Sequence, residues 1–417
     1  NILRSASQKS CEIRFIDGEK DEIAVSYGDI RHEALTLLGS VHAPGMRAGA
    51  EEVKVTRSNR KFVTAFWAAV AGGIVPVPVA VGISDEHRQK LFRILQQLRN
   101  GTLFTEQELL DRLVTFADKE GQSDIVSLLG ERSVTDDEIA STARGEIQEA
   151  DPSSIAFIQY SSGSTSDPKG VCLTHDNLTA NIDAILEGVQ WNENERSLSW
   201  MPLTHDMGLI GYHLSAVAAG MDHAIMDTSV FVRRPLLWLQ KATELRSTQL
   251  CSPNFGYKHF LKLFERKGLD NLDLSSVNLI LNGAEPISWD LCETFLNAMA
   301  PYGLKRSATF PVYGLAEATL AVSFPEIGST YSRILVDRHS LKIGEPYETS
   351  NEGDPDAVSF LKVGRPIRYC DVRITDDNDR PLDDGIVGNI HIRGENVTTG
   401  IYNDEEAAAA LFTGDGW

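Results

Sequence analysis

The stretch SIAFIQYSSGSTSDPKGVCLTHDNLTANIDAIL, Ser154 to Leu186, decides how the chain is read. Its opening, SIAFIQY, is a near-continuous apolar run and reads as a buried strand. Its end, THDNLTANIDAIL, has helical spacing and opens on Thr174 or Asp176 as N-cap. The segment Tyr160 to Val171 is therefore expected to be a loop joining strand to helix. Loops at the C-terminal ends of strands are where α/β folds hold ligands. Here glycines allow close approach, hydroxyl and N–H groups can donate to oxygen, and Lys169 adds positive charge, a combination suited to a polyphosphate. The order is not that of the G-x-x-x-x-G-K-[ST] loop, since Lys169 precedes Gly170 and no Ser or Thr follows it. Taken alone, the segment is either a different phosphate loop or a Ser/Gly-rich turn without a ligand.

Outward from this unit the texture repeats. Short apolar runs alternate with helical periodicity from Phe62 to Val81 and from Ile155 to Phe231. The uncharged run Val63 to Gly82 is long enough to span a bilayer. Gly72 and Gly73 mark a helix end, however, and Pro76 and Pro78 alternate with valines as in a sheet-edge strand, so a buried helix and strand are expected and no membrane span. Ser84 to Ala150 is strongly charged and reads as exposed helices and a loop. Further cycles run from TQLCSPNF through a helix ending at Gly268 to SSVNLILNGAEPI, and from SATFPVYG to ATLAVSF. Ser329 to Phe360 is polar and turn-rich, an insertion or long loop. From Val363 the pattern becomes strand, turn, strand. The expected fold class is α/β: stacked α/β subdomains with mixed sheets over residues 1–362, then a small antiparallel, barrel-like β subdomain over 363–417.

Composition excludes some functions. With 39 basic and 59 acidic side chains in 417 residues, the net charge of -20 repels phosphate backbones and anionic head groups, so nucleic acid is not an expected partner. Five scattered cysteines without a C-x-x-C pair read as reduced thiols in a cytoplasmic protein, and the chain opens without a signal-peptide pattern. The histidines lack zinc-site spacing.

Five ordered segments carry a resemblance. YSSGSTSDPKGVCLTHDNL, MPLTHDMGLIG (Met201 to Gly211), NGAEPI (Asn282 to Ile287), VYGLAEATLAVS (Val312 to Ser323) and VGNIHIRGENVTTGIYN (Val387 to Asn403) resemble the motifs of the adenylate-forming superfamily, which contains acyl-CoA synthetases, peptide-synthetase adenylation domains and luciferases. His-Asp-Met-Gly-Leu, Asn-Gly-Ala-Glu-Pro and Leu-Ala-Glu-Ala-Thr-Leu look most like the fatty acyl-AMP ligases, and 329–360 lies where that family carries an insertion implied to hinder the rearrangement that CoA ligation needs.

The resemblance implies attack of a fatty-acid carboxylate on the α-phosphorus of ATP, giving acyl-AMP and pyrophosphate, with Mg²⁺ as cofactor and the phosphopantetheine arm of an acyl carrier protein as acceptor. It implies that Ser161, Ser162, Gly163, Ser164, Thr165 and Lys169 surround the β- and γ-phosphates. Glu317 would hold Mg²⁺, Tyr313 with Gly314 would stack on adenine, and Gly283, Ala284, Glu285 and Pro286 would form the opposite wall. His205 would sit near the carboxylate and α-phosphate, with Met207, Gly208 and Phe255 at the mouth of an acyl tunnel. Thr413, Gly414 and Asp415 precede Gly416 and Trp417, so they read as a look-alike of the family's ribose-binding motif, whose aspartate is expected beyond the last residue, as are the hinge and a small C-terminal domain. The alternatives are an acyl-CoA ligase, an amino- or aryl-acid adenylation domain, or a non-catalytic adenylate-binding module.

Overall fold

The computed structural model describes residues 2–41, 48–80, 84–136, 143–161 and 168–417. The larger body is built on a seven-stranded sheet in the order Thr309–Pro311, Leu279–Asn282, Gln249–Cys251, Arg196–Ser199, Asp222–Met226, Glu12–Ile16, Glu22–Ser26. Neighbours run parallel except for the last pair, an antiparallel edge. Central strands such as Leu279–Asn282 are buried throughout, which is why they read as continuous apolar runs rather than alternating ones. From Arg196–Ser199 the chain crosses to one side, and from Gln249–Cys251 to the other. These adjacent strands form a topological switch point, where a crevice opens outside the strand C-termini.

A second, four-stranded parallel sheet has the order Val75–Pro78, Glu51–Val55, Thr102–Thr105, Ser133–Thr135. Val75–Pro78 lies at its edge, where two missing N–H donors cost no ladder bonds, and the helix Asn59–Ala71 before it ends on Gly72. The long apolar run is thus a buried helix and strand. Among the described residues, no helix is long and apolar enough to cross a membrane.

The decisive stretch joins the two bodies and corrects the first reading. Lys169–Thr174 is a second strand, antiparallel to Ile155–Ser161 with Tyr160 opposite Gly170, so a hairpin precedes the helix. Phe157 packs in the larger core, edge-on to Phe66 at 5.8 Å, whereas Ile158 and Tyr160 pack in the smaller core with Val53 and Val77. Thr174 is the N-cap of His175–Val189: its hydroxyl accepts the Asn177 N–H at 3.1 Å, and the Asn177 side chain accepts the Thr174 N–H at 3.0 Å. The Ser84 to Ala150 region is corrected as well. Alongside its helices it supplies two strands, Thr102–Thr105 and Ser133–Thr135, too short to show an alternation.

Ser329 to Phe360 is not a bare loop, because Arg333–Asp337 and Ala357–Leu361 form an antiparallel pair. Its tip is tied to the segment that follows: the Gly344 N–H donates to Val387 O at 2.8 Å, the Val387 N–H to Glu345 O at 3.0 Å and the Tyr347 N–H to Gly385 O at 3.2 Å. Beyond it, Cys370–Thr375 pairs antiparallel with Asn389–Gly394, and Arg365–Pro366 joins Tyr313–Gly314 and Ala321–Phe324 in a small sheet.

His213 and His223 lie fully inside the larger body, their rings 5.7 Å apart. Trp67 donates its indole N–H to His213 Nε2 at 3.0 Å, and His223 Nδ1 shares a hydrogen bond with Ser197 at 2.7 Å. Burial pushes His213 down to about 3 and His223 well below the ordinary imidazole value. Both are therefore neutral when folded, and their contribution to stability is present above the unfolded value near 6.5 and lost as pH falls below it. In urea titrations between pH 7.5 and 5, His223→Leu is expected to flatten the acid slope by up to about 1.4 kcal/mol per pH unit, one proton's worth. An unchanged slope would show that the pair does not govern this limb.

Candidate active site

A cavity of about 450 Å³ opens at the switch point and draws its walls from both bodies. One wall follows Arg196–Ser199. The turn through Pro202, Thr204 and His205 leads into a π-helix, Met207–Leu214, an uncommon wide turn often found at functional sites. Asp206 starts it, accepting the Met207 N–H at 2.7 Å. Gly208 is required at this place, since a Cβ would stand 2.3 Å from the Pro202 carbonyl oxygen. His205 Nδ1 lies 2.6 Å from Asp206 Oδ1, which leaves Nε2 for a ligand. Burial opposes the imidazolium, but the hydrogen bond and charge of Asp206 outweigh it and raise the His205 pKa above its ordinary value.

The facing wall is the strand Tyr313–Gly314 and the 3₁₀ turn Ala316–Ala318 after it. Gly314 passes so close to the Leu320 carbonyl that a Cβ would overlap it. Thr319 takes φ +66°, a costly backbone for a β-branched residue. Its hydroxyl donates to Asn396 O at 2.7 Å, and Asn396 Nδ2 donates to the carbonyls of Ala318 at 3.2 Å and Ala321 at 3.1 Å. Asn181 adds a bond each way to Ala321. This buried polar frame presents Glu317, whose carboxylate has no cation partner among the described residues, to the cavity. Burial, then the charge of Glu317, raises the Tyr313 pKa.

Of the residues expected from sequence, His205, Met207, Ala284, Tyr313, Gly314 and Glu317 line this one cavity. Ala284 does so with φ +69°, in the left-handed region. Gly208 lies behind the lining, and Gly283 packs on Val312, whose Cγ2 would meet an added Cβ at 2.8 Å. Glu285 and Pro286 face another partner: Glu285 Oε1 accepts the Phe255 N–H at 2.8 Å, and Pro286 O accepts from Asn254 Nδ2. Phe255 is 47% exposed, stacked on His259 outside the cavity lining. Lys169 is an exposed residue at the start of its strand, and Ser161 ends the partner strand. Ser162, Gly163, Ser164 and Thr165 lie outside the described residues.

The sequence reading missed Gln159, Thr204, Lys90 and the apolar wall of Ile185, Leu281, Leu320 and Phe324. Gln159 had a signal, an amide inside an apolar strand. Its Nε2 donates to Thr204 O at 2.9 Å, joining hairpin to histidine turn. Burial lowers the pKa of Lys90, which enters from the helix Asp85–Gln97.

The model of the AMP-binding enzymes matches residues 3–402. The chain belongs to the AMP-binding enzyme family. It is 32% identical over 403 residues to the long-chain-fatty-acid–AMP ligase FadD32 of Mycolicibacterium smegmatis, covering 95% of this chain and 63% of that protein. A second relative, the medium-chain-fatty-acid–[acyl-carrier-protein] ligase JamA of Moorena producens, is 28% identical over 404 residues, covering 95% and 67%. Among solved structures, an adenylation domain of a keto acid-selecting NRPS module bound to keto acyl adenylate superposes with a TM-score of 0.92 at 26% identity, covering 100% of this chain and 78% of that one. The chain thus spans less than two thirds of the length of its FadD32 relative. The mixed sheet and small antiparallel sheets are those of an adenylation domain.

Asn396→Ala would remove one donor from each of two carbonyls in the AMP-binding fold, leaving Ala321 O the Asn181 amide and Ala318 O the Leu320 N–H. Losing these two bonds is expected to cost about 1 to 3 kcal/mol, at roughly 0.5–1.5 kcal/mol per bond, read as a lower urea midpoint at unchanged m-value. A midpoint equal to wild type would mean that the Glu317 turn stands without this frame.

Proposed function

We propose that the protein activates a fatty acid with ATP, forming acyl-AMP and pyrophosphate, and passes the acyl group to the phosphopantetheine arm of an acyl carrier protein. The observation that carries this reading is the convergence of an imidazole and a carboxylate without a cation partner among the described residues, from opposite walls, on one cavity that also has an apolar wall of Ile185, Leu281, Leu320 and Phe324. That arrangement suits an acid whose carboxylate and tail need different surroundings. FadD32 and JamA are named as ligases of fatty acids to AMP and to a carrier protein, which supports the same acid and acceptor here.

The proposed roles follow from chemistry. His205, whose imidazolium Asp206 favours, donates from Nε2 to the carboxylate and α-phosphate oxygens as charge builds there. Tyr313 and Gly314 pack on the adenine, with Gly283 and Ala284 opposite, and Met207 and Gly208 shape the entrance to the acyl wall. Lys169 and the hydroxyls of the hairpin loop hold the terminal phosphates. Glu317 fits Mg²⁺, since a free carboxylate on a cavity wall gives the hard oxygen such a cation prefers. When bound, the ion neutralises phosphate charge. The anchored hairpin within 329–360 supports an AMP ligase over a CoA ligase, because its backbone bonds hold the insertion in place. We also retain the reading of 363–417 as an antiparallel unit, one joined to the larger body through Arg365–Pro366 and Asn396, and of Asp415 as a look-alike, since its carboxylate is engaged by Arg373 at 2.6 and 3.0 Å.

The test incubates the enzyme, at the full length of its relatives, with ATP, Mg²⁺, a medium-chain fatty acid and coenzyme A, and reads products by mass spectrometry. Acyl-AMP without acyl-CoA is expected. Efficient acyl-CoA formation would make the protein a CoA ligase, and activation of an amino or aryl acid alone would make it an adenylation domain of that kind. Absence of pyrophosphate exchange would leave a binding module.

Two variants refine the roles. Glu317→Gln is expected to slow pyrophosphate exchange by about 100-fold or more, the usual cost of one transition-state electrostatic contact. Because the His205 pKa is raised, exchange is expected to be full at low pH and to decline only above the ordinary imidazole value, and His205→Asn should be slower and lose that decline. A wild-type decline retained in His205→Asn would assign it to another group.

A further inference from the structure

The helix Asn254–Lys267 buries Gly256, Tyr257, Phe260 and Leu261 and turns Lys258, Lys262 and Arg266 to solvent. Spaced by four, these three share one face, and exposed Lys267 adjoins them. None is in an ion pair among the described residues, and neither is Glu265, the helix's one acidic residue. Some other helix cations find carboxylates: Lys241 meets Glu22 and Glu244, and Arg112 meets Glu108. In a chain of net charge -20, a helix face with uncompensated positive charge is a local reversal of the field.

The same helix is tied to the cavity rim. Its first residues, Asn254 and Phe255, bond to Pro286 and Glu285, next to Ala284 in the cavity wall. From that point its 14 residues extend about 20 Å along the surface.

We propose that the Lys258, Lys262 and Arg266 face docks the acidic surface of the carrier protein, so that its phosphopantetheine arm enters over the rim at Ala284. This rests on the carrier-loading reading above. Charge complementarity selects this occupant: carrier proteins are small, acidic and helical, and a stripe of cations steers such a surface and fixes its orientation while contributing little to acid activation. A second copy of this acidic chain, or an anionic membrane, is the competing occupant.

The test uses the full-length enzyme and its Lys258→Glu/Lys262→Glu variant, with Lys258→Arg/Lys262→Arg as a charge-preserving control. Pyrophosphate exchange with fatty acid alone is measured beside acyl transfer to an acidic, phosphopantetheinylated acyl carrier protein at low and high salt. Exchange is expected to be unchanged, while the KM for carrier rises at least tenfold in the Glu variant, its salt dependence disappears, and the Arg variant matches wild type. Wild-type carrier KM and salt dependence in the Glu variant would overturn the docking surface, as would a change in self-association or vesicle binding without a change in carrier KM. Loss of exchange in the wild type itself would overturn the activity rather than the surface.

Discussion

The hairpin Ile155–Ser161 and Lys169–Thr174 is shared by two hydrophobic cores, and the position of the site depends on this sharing. Phe157 faces one core, and Ile158 and Tyr160 face the other. Each such side chain contributes roughly 1.5–3 kcal/mol when fully buried, so the strand resists sliding toward either body. Its register is also sterically fixed: opposite Tyr160, a Cβ on Gly170 would lie 2.8 Å from Ile158 Cγ2 and 3.0 Å from the Tyr160 ring. A third segment locks the outer strand, with the Tyr402 N–H donating to Gly170 O at 2.7 Å and the Cys172 N–H to Gly400 O at 3.0 Å. The Tyr402 hydroxyl then reaches Glu51 in the smaller sheet. The role proposed for the intervening segment needs a base that does not yield, and these strands are held by apolar packing on two sides and by backbone bonds on one edge.

The facing wall is fixed by polar means. Asn177, Asn181 and Asn396 are buried amides whose hydrogen bonds run to backbone carbonyls of the turns around the cavity. Buried amides cost free energy unless satisfied, so they specify one arrangement rather than add generic stability. Their work is visible at Thr319, whose φ of +66° persists because its hydroxyl and neighbouring carbonyls are all engaged. Apolar packing alone would let this turn relax and withdraw Glu317.

This division explains what could be read in the sequence. The cavity residues stand in turns that need unusual residues, such as Gly208 against a carbonyl or Gly314 against Leu320, and unusual residues make motifs. The large sheet was legible because buried parallel strands are apolar runs. Thr102–Thr105 and Ser133–Thr135 were not, since four and three residues carry no period among charged helices. Lys169–Thr174 was hidden because its glycine and lysine read as loop chemistry while its partners lie elsewhere in the chain. Gln159 and Thr204 escaped for a related reason: their bond joins residues 45 apart, and local pattern has no access to it.

Net charge poses the last constraint. A chain at -20 should repel both ATP and a carboxylate, yet its cavity is expected to gather them. Surface charges are screened beyond about 8–10 Å at physiological ionic strength, so the groups within that distance of the ligand decide. Within the walls, the carboxylate of Asp206 is engaged by His205 and favours its charged form. Lys90 brings an amine whose charged form burial disfavours. Glu317 is the acidic group left free, and an unpaired carboxylate in an anion site is unfavourable unless a cation arrives with the anion. The same local rule makes the stripe on Asn254–Lys267 readable as a surface in its own right: the sign of the whole molecule does not set the sign of a face, and each face must be judged by the charges it leaves unpaired.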